Sequence, residues 1–275
     1  TVTASWNNGI LTLTVPNASE KITSDVLDGF TSTTVNGFGG WQNATKVAVT
    51  AASGETVSIT SDEVAYIVAK CVDTNNASVL QQLDLSGMSS LSGSLSGLTC
   101  STLKSLILPK GTSIDGTEFG GNVMITFALS SNGTYYNAML RNSGGNMSFQ
   151  NFSNDFINLL KAKAMHLTVV GSVTQTDVFA FKDNCSAMYL NMTKATGAAD
   201  IVYANYADKL YRIFLPDGMT TIPEGCLSGC SNLESVKIPE GVTEIKANAF
   251  NNCQKLTTVN LPSTLKTIGN KAFYL

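Results

Sequence analysis

Apolar residues recur along the last third of the chain at a constant interval. Leu210, Leu233 and Leu256 each open a segment of 23 residues. The fourth position of the segment holds Ile213, Val236 and Val259, and the sixth holds Leu215, Ile238 and Leu261. Pro216, Pro239 and Pro262 follow at the seventh. Met219, Val242 and Leu265 occupy the tenth, Ile222, Ile245 and Ile268 the thirteenth, and Leu227, Phe250 and Phe273 the eighteenth. Counting back by 23 from Leu210 reaches Ala187, with Leu190 and Met192, and then Ala164, with Leu167 and Val169. Far upstream, Leu80 and Leu103 show the same interval, leading Leu83 with Leu85 and Leu106 with Leu108. The unit is thus present in at least seven copies.

Positions 4 and 6 share one face of a short strand, because strand side chains alternate. Proline at position 7 lacks a backbone donor and ends the strand. Gly218 and Gly241 at position 9 let the chain turn. Positions 10, 13 and 18 then return apolar side chains to the same interior. One such segment cannot bury these groups alone, whereas stacked neighbours bury them together. The pattern therefore predicts a repeat solenoid with one short parallel β-strand per turn and an irregular or short helical far side. Neighbouring strands in such a stack lie about 4.8 Å apart.

The register slips at about 110–163. Met124, Phe127 and Leu129 predict a strand there, Gly144-Gly145-Asn146 a loop, and Asp155 to Ala164 a short helix. The number of turns in this stretch stays open. Residues 1–43 depart from the repeat and read as an N-terminal cap, with 44–275 as the solenoid. Within the cap, Val2–Trp6 and Ile10–Val15 alternate around Asn7-Asn8-Gly9, a hairpin signal. Ser24 to Phe30 predicts a short helix, and Lys46 to Thr50 a first solenoid strand. Thr60 with Glu63, ahead of Val64, Ile67 and Val68, predicts a capped helix. After Leu275 two readings stand: Phe273-Tyr274-Leu275 close the stack, or the stack continues.

Segments of the form L-x-x-I-x-L-P-x-x-V-T-x-I-x-x-x-A-F-x-x-C, nearly intact from Val236 to Cys253, resemble the BspA type of leucine-rich repeat. That type is found in surface proteins of Bacteroides-like bacteria and some mucosal parasites. The resemblance implies a surface-exposed binding or adhesion role, and it brings no catalytic residues with it.

Composition narrows the partners. Charged residues make up 13% of the chain, against roughly 25% in ordinary globular domains. The net charge is −3, which supplies no basic field for nucleic acid. No apolar run is long enough to span a membrane. The first residues lack a signal peptide's basic and apolar regions, and the composition favours a secreted or cell-surface chain whose signal peptide has been removed. A monomer is expected.

Candidate chemistry is sparse. Cys100, Cys230 and Cys253 fall at repeat position 21, which reads as buried reduced thiols; a Cys230–Cys253 disulfide is the alternative. No zinc-type spacing and no cofactor motif is present. His166, the one histidine, reads as an exposed polar residue rather than a catalytic base. The carboxylates form no convergent pair of the glycosidase kind. Positions 3 and 5 point outward from the strands and place His166, Tyr189, Arg212 and Phe214 on successive turns. Aromatic and arginine side chains anchor interfaces, so these four are the candidate binding residues; Tyr189 and Phe214 packing on each other is the alternative. The resulting expectation is an extracellular protein- or glycan-binding adhesion module whose partner is a host or bacterial surface molecule. A structural spacer in the cell envelope is the rival reading.

Overall fold

The computed structural model describes residues 1–114, 123–142 and 154–275; the expected loop at Gly144–Asn146 lies outside them. The chain forms two compact units, Thr1–Gly133 and Thr134–Leu275.

In the first unit, β1 (Thr3–Asn7) and β2 (Ile10–Val15) form an antiparallel hairpin. Its turn residues Asn8 and Gly9 both have positive φ, at 51° and 80°, as a two-residue turn matched to strand twist requires. Beyond the hairpin the strands described for this unit pair in parallel. β2 pairs with β3 (Lys46–Ala51), β3 with β5 (Gln82–Gly87), β5 with β7 (Ser105–Ile107), and β7 with β8 (Val123–Leu129). The register aligns Leu11, Val47, Leu83 and Leu106, all of them buried. The first two steps of that row are 36 residues and the third is 23. β2 therefore already belongs to the parallel sheet, one turn earlier than the expected first strand at Lys46.

The longer turns carry helices on their return legs: α1 (Ser24–Asp28) and α2 (Ser61–Lys70). α2 opens with the expected capping box. The Thr60 hydroxyl accepts from the Glu63 N–H, and a Glu63 oxygen accepts from the Thr60 N–H at 3.2 Å. The other Glu63 oxygen accepts from the Ile22 N–H of the preceding turn at 2.9 Å. This buried carboxylate thus satisfies an orphan donor at the helix start and joins two turns. Beside α2, β4 (Ser58–Thr60) and β6 (Ser90–Ser92) form a small parallel pair.

In the second unit six parallel strands follow one another: β9 (Tyr135–Asn142), β10 (Ala164–Ser172), β11 (Met188–Thr196), β12 (Leu210–Phe214), β14 (Ser235–Lys237) and β16 (Thr258–Asn260). α3 (Asn154–Ala162) precedes β10, and α4 (Gln175–Asp183) fills the next return leg. α4 has its own capping box, from Thr174 and Asp177. From residue 221 onward the far side is made of turns and two-residue strands, β13 (Thr221–Ile222), β15 (Glu244–Ile245) and β17 (Thr267–Ile268), which form a second parallel sheet. Ile222 aligns with Ile245, and Ile245 with Ile268. Between the two sheets lie Met219, Val242, Leu227 and Phe250, all buried. The second unit is a repeat solenoid with one parallel strand of the main sheet in each turn.

Candidate functional site

Alternation fixes which side chains leave the second unit's main sheet. Along β9 the odd-numbered residues Tyr135 to Arg141 are half-buried and the even-numbered ones buried; β10 alternates likewise up to Val169 with the parity reversed, and β11 up to Met192 with the parity of β9. The outward residues align across strands. One row runs Asn137, His166, Tyr189, Arg212, Ser235, Thr258. The next runs Met139, Thr168, Asn191, Phe214, Lys237, Asn260.

Four rings form a ladder over the first row. Tyr135 stacks on His166, with centroids 4.0 Å apart and planes at 12°. His166 meets Tyr189 at 4.4 Å and 39°. Tyr189 meets Tyr211 at 5.8 Å and 16°. Each inner ring has a neighbour on both faces, so the ladder presents ring edges, with the tyrosine hydroxyls and imidazole nitrogens, rather than ring faces.

His166 is therefore half-buried within an aromatic stack and not the exposed polar residue expected. Burial, reinforced by the Arg212 guanidinium, holds its pKa below the ordinary 6.5. Of the four expected binding residues, the structure gathers His166, Tyr189 and Arg212. Phe214 lies in the neighbouring row, opposite Asn191 and Lys237. Its ring contact is to the Lys237 ammonium, 5.6 Å from the ring centroid, and not to Tyr189.

Two ladder members escaped the periodic reading. Tyr211 stands at repeat position 2, which does not point outward in a regular strand. The β11–β12 pairing shifts register between Met188 and Tyr189, opposite Leu210 and Arg212. This bulge leaves Tyr211 as the extra residue and re-aims it. Both Tyr211 and Arg212 then flank Tyr189, with the guanidinium carbon 6.0 Å from the ring centroid. Tyr135 lies 29 residues before Ala164, its partner across the ladder, so counting by 23 misses it. It reaches His166 diagonally, as long side chains can across a sheet.

The face is also one-signed. The six strands contain Arg141, Lys194, Arg212 and Lys237, and no Asp or Glu. Carboxylates stand outside the strands, as at Asp208, Asp217, Glu234 and Glu240. The Arg212 Nε donates to the Ser235 hydroxyl at 3.1 Å. Among the described residues, Lys194, Arg212 and Lys237 form no ion pair, whereas Lys70 pairs with Asp28 and Lys182 with Asp183.

The thiols offer no reactive chemistry. All six cysteines are free and buried, so the Cys230–Cys253 disulfide is not formed. The thiols at repeat position 21 instead donate to backbone carbonyls: Cys230 to Tyr203 and Cys253 to Leu227 of the preceding turn, and Cys100 to Leu80, which opens its own turn. Burial pushes Cys71, Cys185 and Cys226 up to about 12 and Cys253 to about 11, and Cys230 higher still. At neutral pH these groups stay protonated and lack the thiolate that nucleophilic or metal chemistry needs. Among the described residues, no group of three or more His, Cys, Asp or Glu is placed to hold a metal ion. No helix among them is long and apolar enough to cross a membrane.

Residues 152–275 match, in 6 copies, the family described as the BspA type leucine rich repeat region. No curated protein sequence is significantly similar to the chain. Among solved structures, a leucine rich cell surface protein from Faecalibacterium prausnitzii is similar at 16% identity over 85% of this chain, with a TM-score of 0.27. The chain spans 59% of that protein's length. A leucine-rich repeat protein from Eubacterium ventriosum is similar at 14% identity over 100% of this chain and 92% of its own, with a TM-score of 0.19. Superpositions this loose carry no weight for the site; the repeat type rests on the family match.

Proposed function

We propose that this chain is a cell-surface binding module that engages a protein partner through the outward sheet face of its second unit. The observation that carries the reading is the Tyr135–His166–Tyr189–Tyr211 ladder with Arg212 at its end. Tyrosine and arginine dominate the energetics of protein interfaces, because rigid rings bury large areas at low entropic cost and still offer hydrogen bonds. Stacking has already ordered these rings, so a partner does not have to freeze them. A glycan that docks by laying sugar rings on aromatic faces fits less well, since the inner faces are covered by one another. Adhesion to a host or bacterial surface protein is the biological form this binding takes, with the chain exported and displayed outside the cell.

The test is an array of extracellular proteins and glycans probed with the purified chain. The reading expects at least one protein whose affinity falls about tenfold or more, about 1.4 kcal/mol, for the Tyr189→Ala/Tyr211→Ala variant. Lys246→Gln, beside the far-side sheet, should leave that affinity unchanged. Binding to glycans alone, or protein binding indifferent to the tyrosine pair, would overturn it.

A further inference from the structure

We infer that the segment of the partner lying on this face is an acidic peptide or loop; the inference rests on the binding role proposed above. Three observations converge. The six strands that build the face carry four permanent cations and no carboxylate, although the chain as a whole has a net charge of −3. The face is thus opposite in sign to the molecule that bears it. Complementary potentials steer encounter and fix register in such interfaces.

The second observation is the state of those cations. Arg212 and Lys237 sit in adjacent rows and on adjacent strands, both exposed. Each is held over an aromatic ring, Tyr189 or Phe214, and neither has an internal carboxylate among the described residues. The ring fixes the charge in place, and the Ser235 hydroxyl takes only the Nε of Arg212. Its two Nη groups have no hydrogen-bond partner among the described residues. They form the fork that accepts a carboxylate in bidentate fashion.

The third is the form of the ladder. Ring edges carrying three phenol hydroxyls and one imidazole make a ridge of hydrogen-bonding groups beside the cations. Carboxylates and peptide carbonyls are the acceptors that suit such a ridge. Six strands about 4.8 Å apart span about 24 Å, the length of an extended peptide of about eight residues. A short acidic strand or loop can therefore touch Arg212, Lys237 and the ladder together.

The experiment pans a displayed random library of peptides about ten residues long on the whole chain, then measures selected peptides by fluorescence anisotropy. The inference expects enrichment of Asp and Glu over the input library, weakening with added salt, and about tenfold or greater loss with Arg212→Gln/Lys237→Gln. The charge-preserving Lys237→Arg variant should keep most of the affinity, which separates charge from packing. Selected peptides without excess acid, or acidic peptides indifferent to the glutamine pair, would overturn the inference. If such peptides still lose affinity with Tyr189→Ala/Tyr211→Ala, the protein-binding reading survives alone. If nothing is selected on this face, both fall. Dextran sulfate, tested in parallel, supplies the other polyanion: binding to it together with no acidic peptide assigns the face to an acidic polysaccharide and overturns the inference.

Discussion

Ile222 and Ile245 lie side by side as neighbouring residues of a parallel sheet, 23 residues apart in sequence and fully buried. Ile268 continues the row but is 52% exposed. The same side chain at the same repeat position thus meets two environments. Ile245→Ala should cost about 2–5 kcal/mol, the range for emptying a packed core site. Ile268→Ala should cost well under half of that. Chemical denaturation of the two variants compares them directly, and equal losses would mean that the row does not form a buried stack.

The close approach of neighbouring turns sets a second expectation. Gly171 has φ +93°, and a Cβ there would sit 2.0 Å from the Asn142 carbonyl oxygen of the adjacent strand. Backbone has no rotamer with which to yield. Gly171→Ala should destabilise by about 3 kcal/mol or more. Gly218 has a similar φ of +82° with nothing near its Cβ position, so Gly218→Ala should cost only about 1–2 kcal/mol of backbone strain. Thermal or urea unfolding of both variants checks the difference.

The cysteine ladder makes a chemical expectation. Free thiols buried between turns should react with an aromatic disulfide reagent only on the timescale of unfolding, and all six should react at once in denaturant. Mass spectrometry after alkylation under denaturing, non-reducing conditions should find six modified cysteines. Four modified cysteines would mean a disulfide and a different arrangement of the 226–253 turns.

His166 gives the pH dependence. Its pKa in the folded chain lies below 6.5, so the unfolded chain binds its proton more readily. Unfolding is then favoured as pH falls. The contribution of neutral His166 is fully present above about 6.5 and is lost as pH drops through the folded value. The histidine ring protons should titrate with a midpoint below 6.5, as followed by NMR. His166→Phe should lose less of its urea midpoint than the parent chain between pH 7.5 and pH 5. An acidic ligand on the ladder should raise the midpoint, because nearby carboxylates favour the imidazolium.

Much of the architecture could be read from the residues because the repeat length is constant where it matters. From Ala164 to Leu256 every turn is 23 residues, and the strands fall where positions 4 and 6 put them. The capping box at Thr60 and Glu63 was legible for a local reason: its chemistry is complete within four residues. The 36-residue interval linking Leu11, Val47 and Leu83 was not, since it recurs only twice and encloses helices of unequal length. At the site, His166, Tyr189 and Arg212 followed from alternation. Tyr211 did not, because a bulge breaks alternation without marking the sequence, and Tyr135 did not, because its turn has a different length.

The single histidine stands in the middle of the proposed binding surface, between Tyr135 and Tyr189, and so reports occupancy without ambiguity. The most direct measurement is the NMR shift of the His166 ring protons as a selected peptide or protein partner is titrated to saturation at constant pH. The account expects the signals to move in step with binding, and the Tyr189→Ala/Tyr211→Ala variant to need at least about tenfold more ligand. A partner that saturates the chain while the His166 signals stay in place would contradict it.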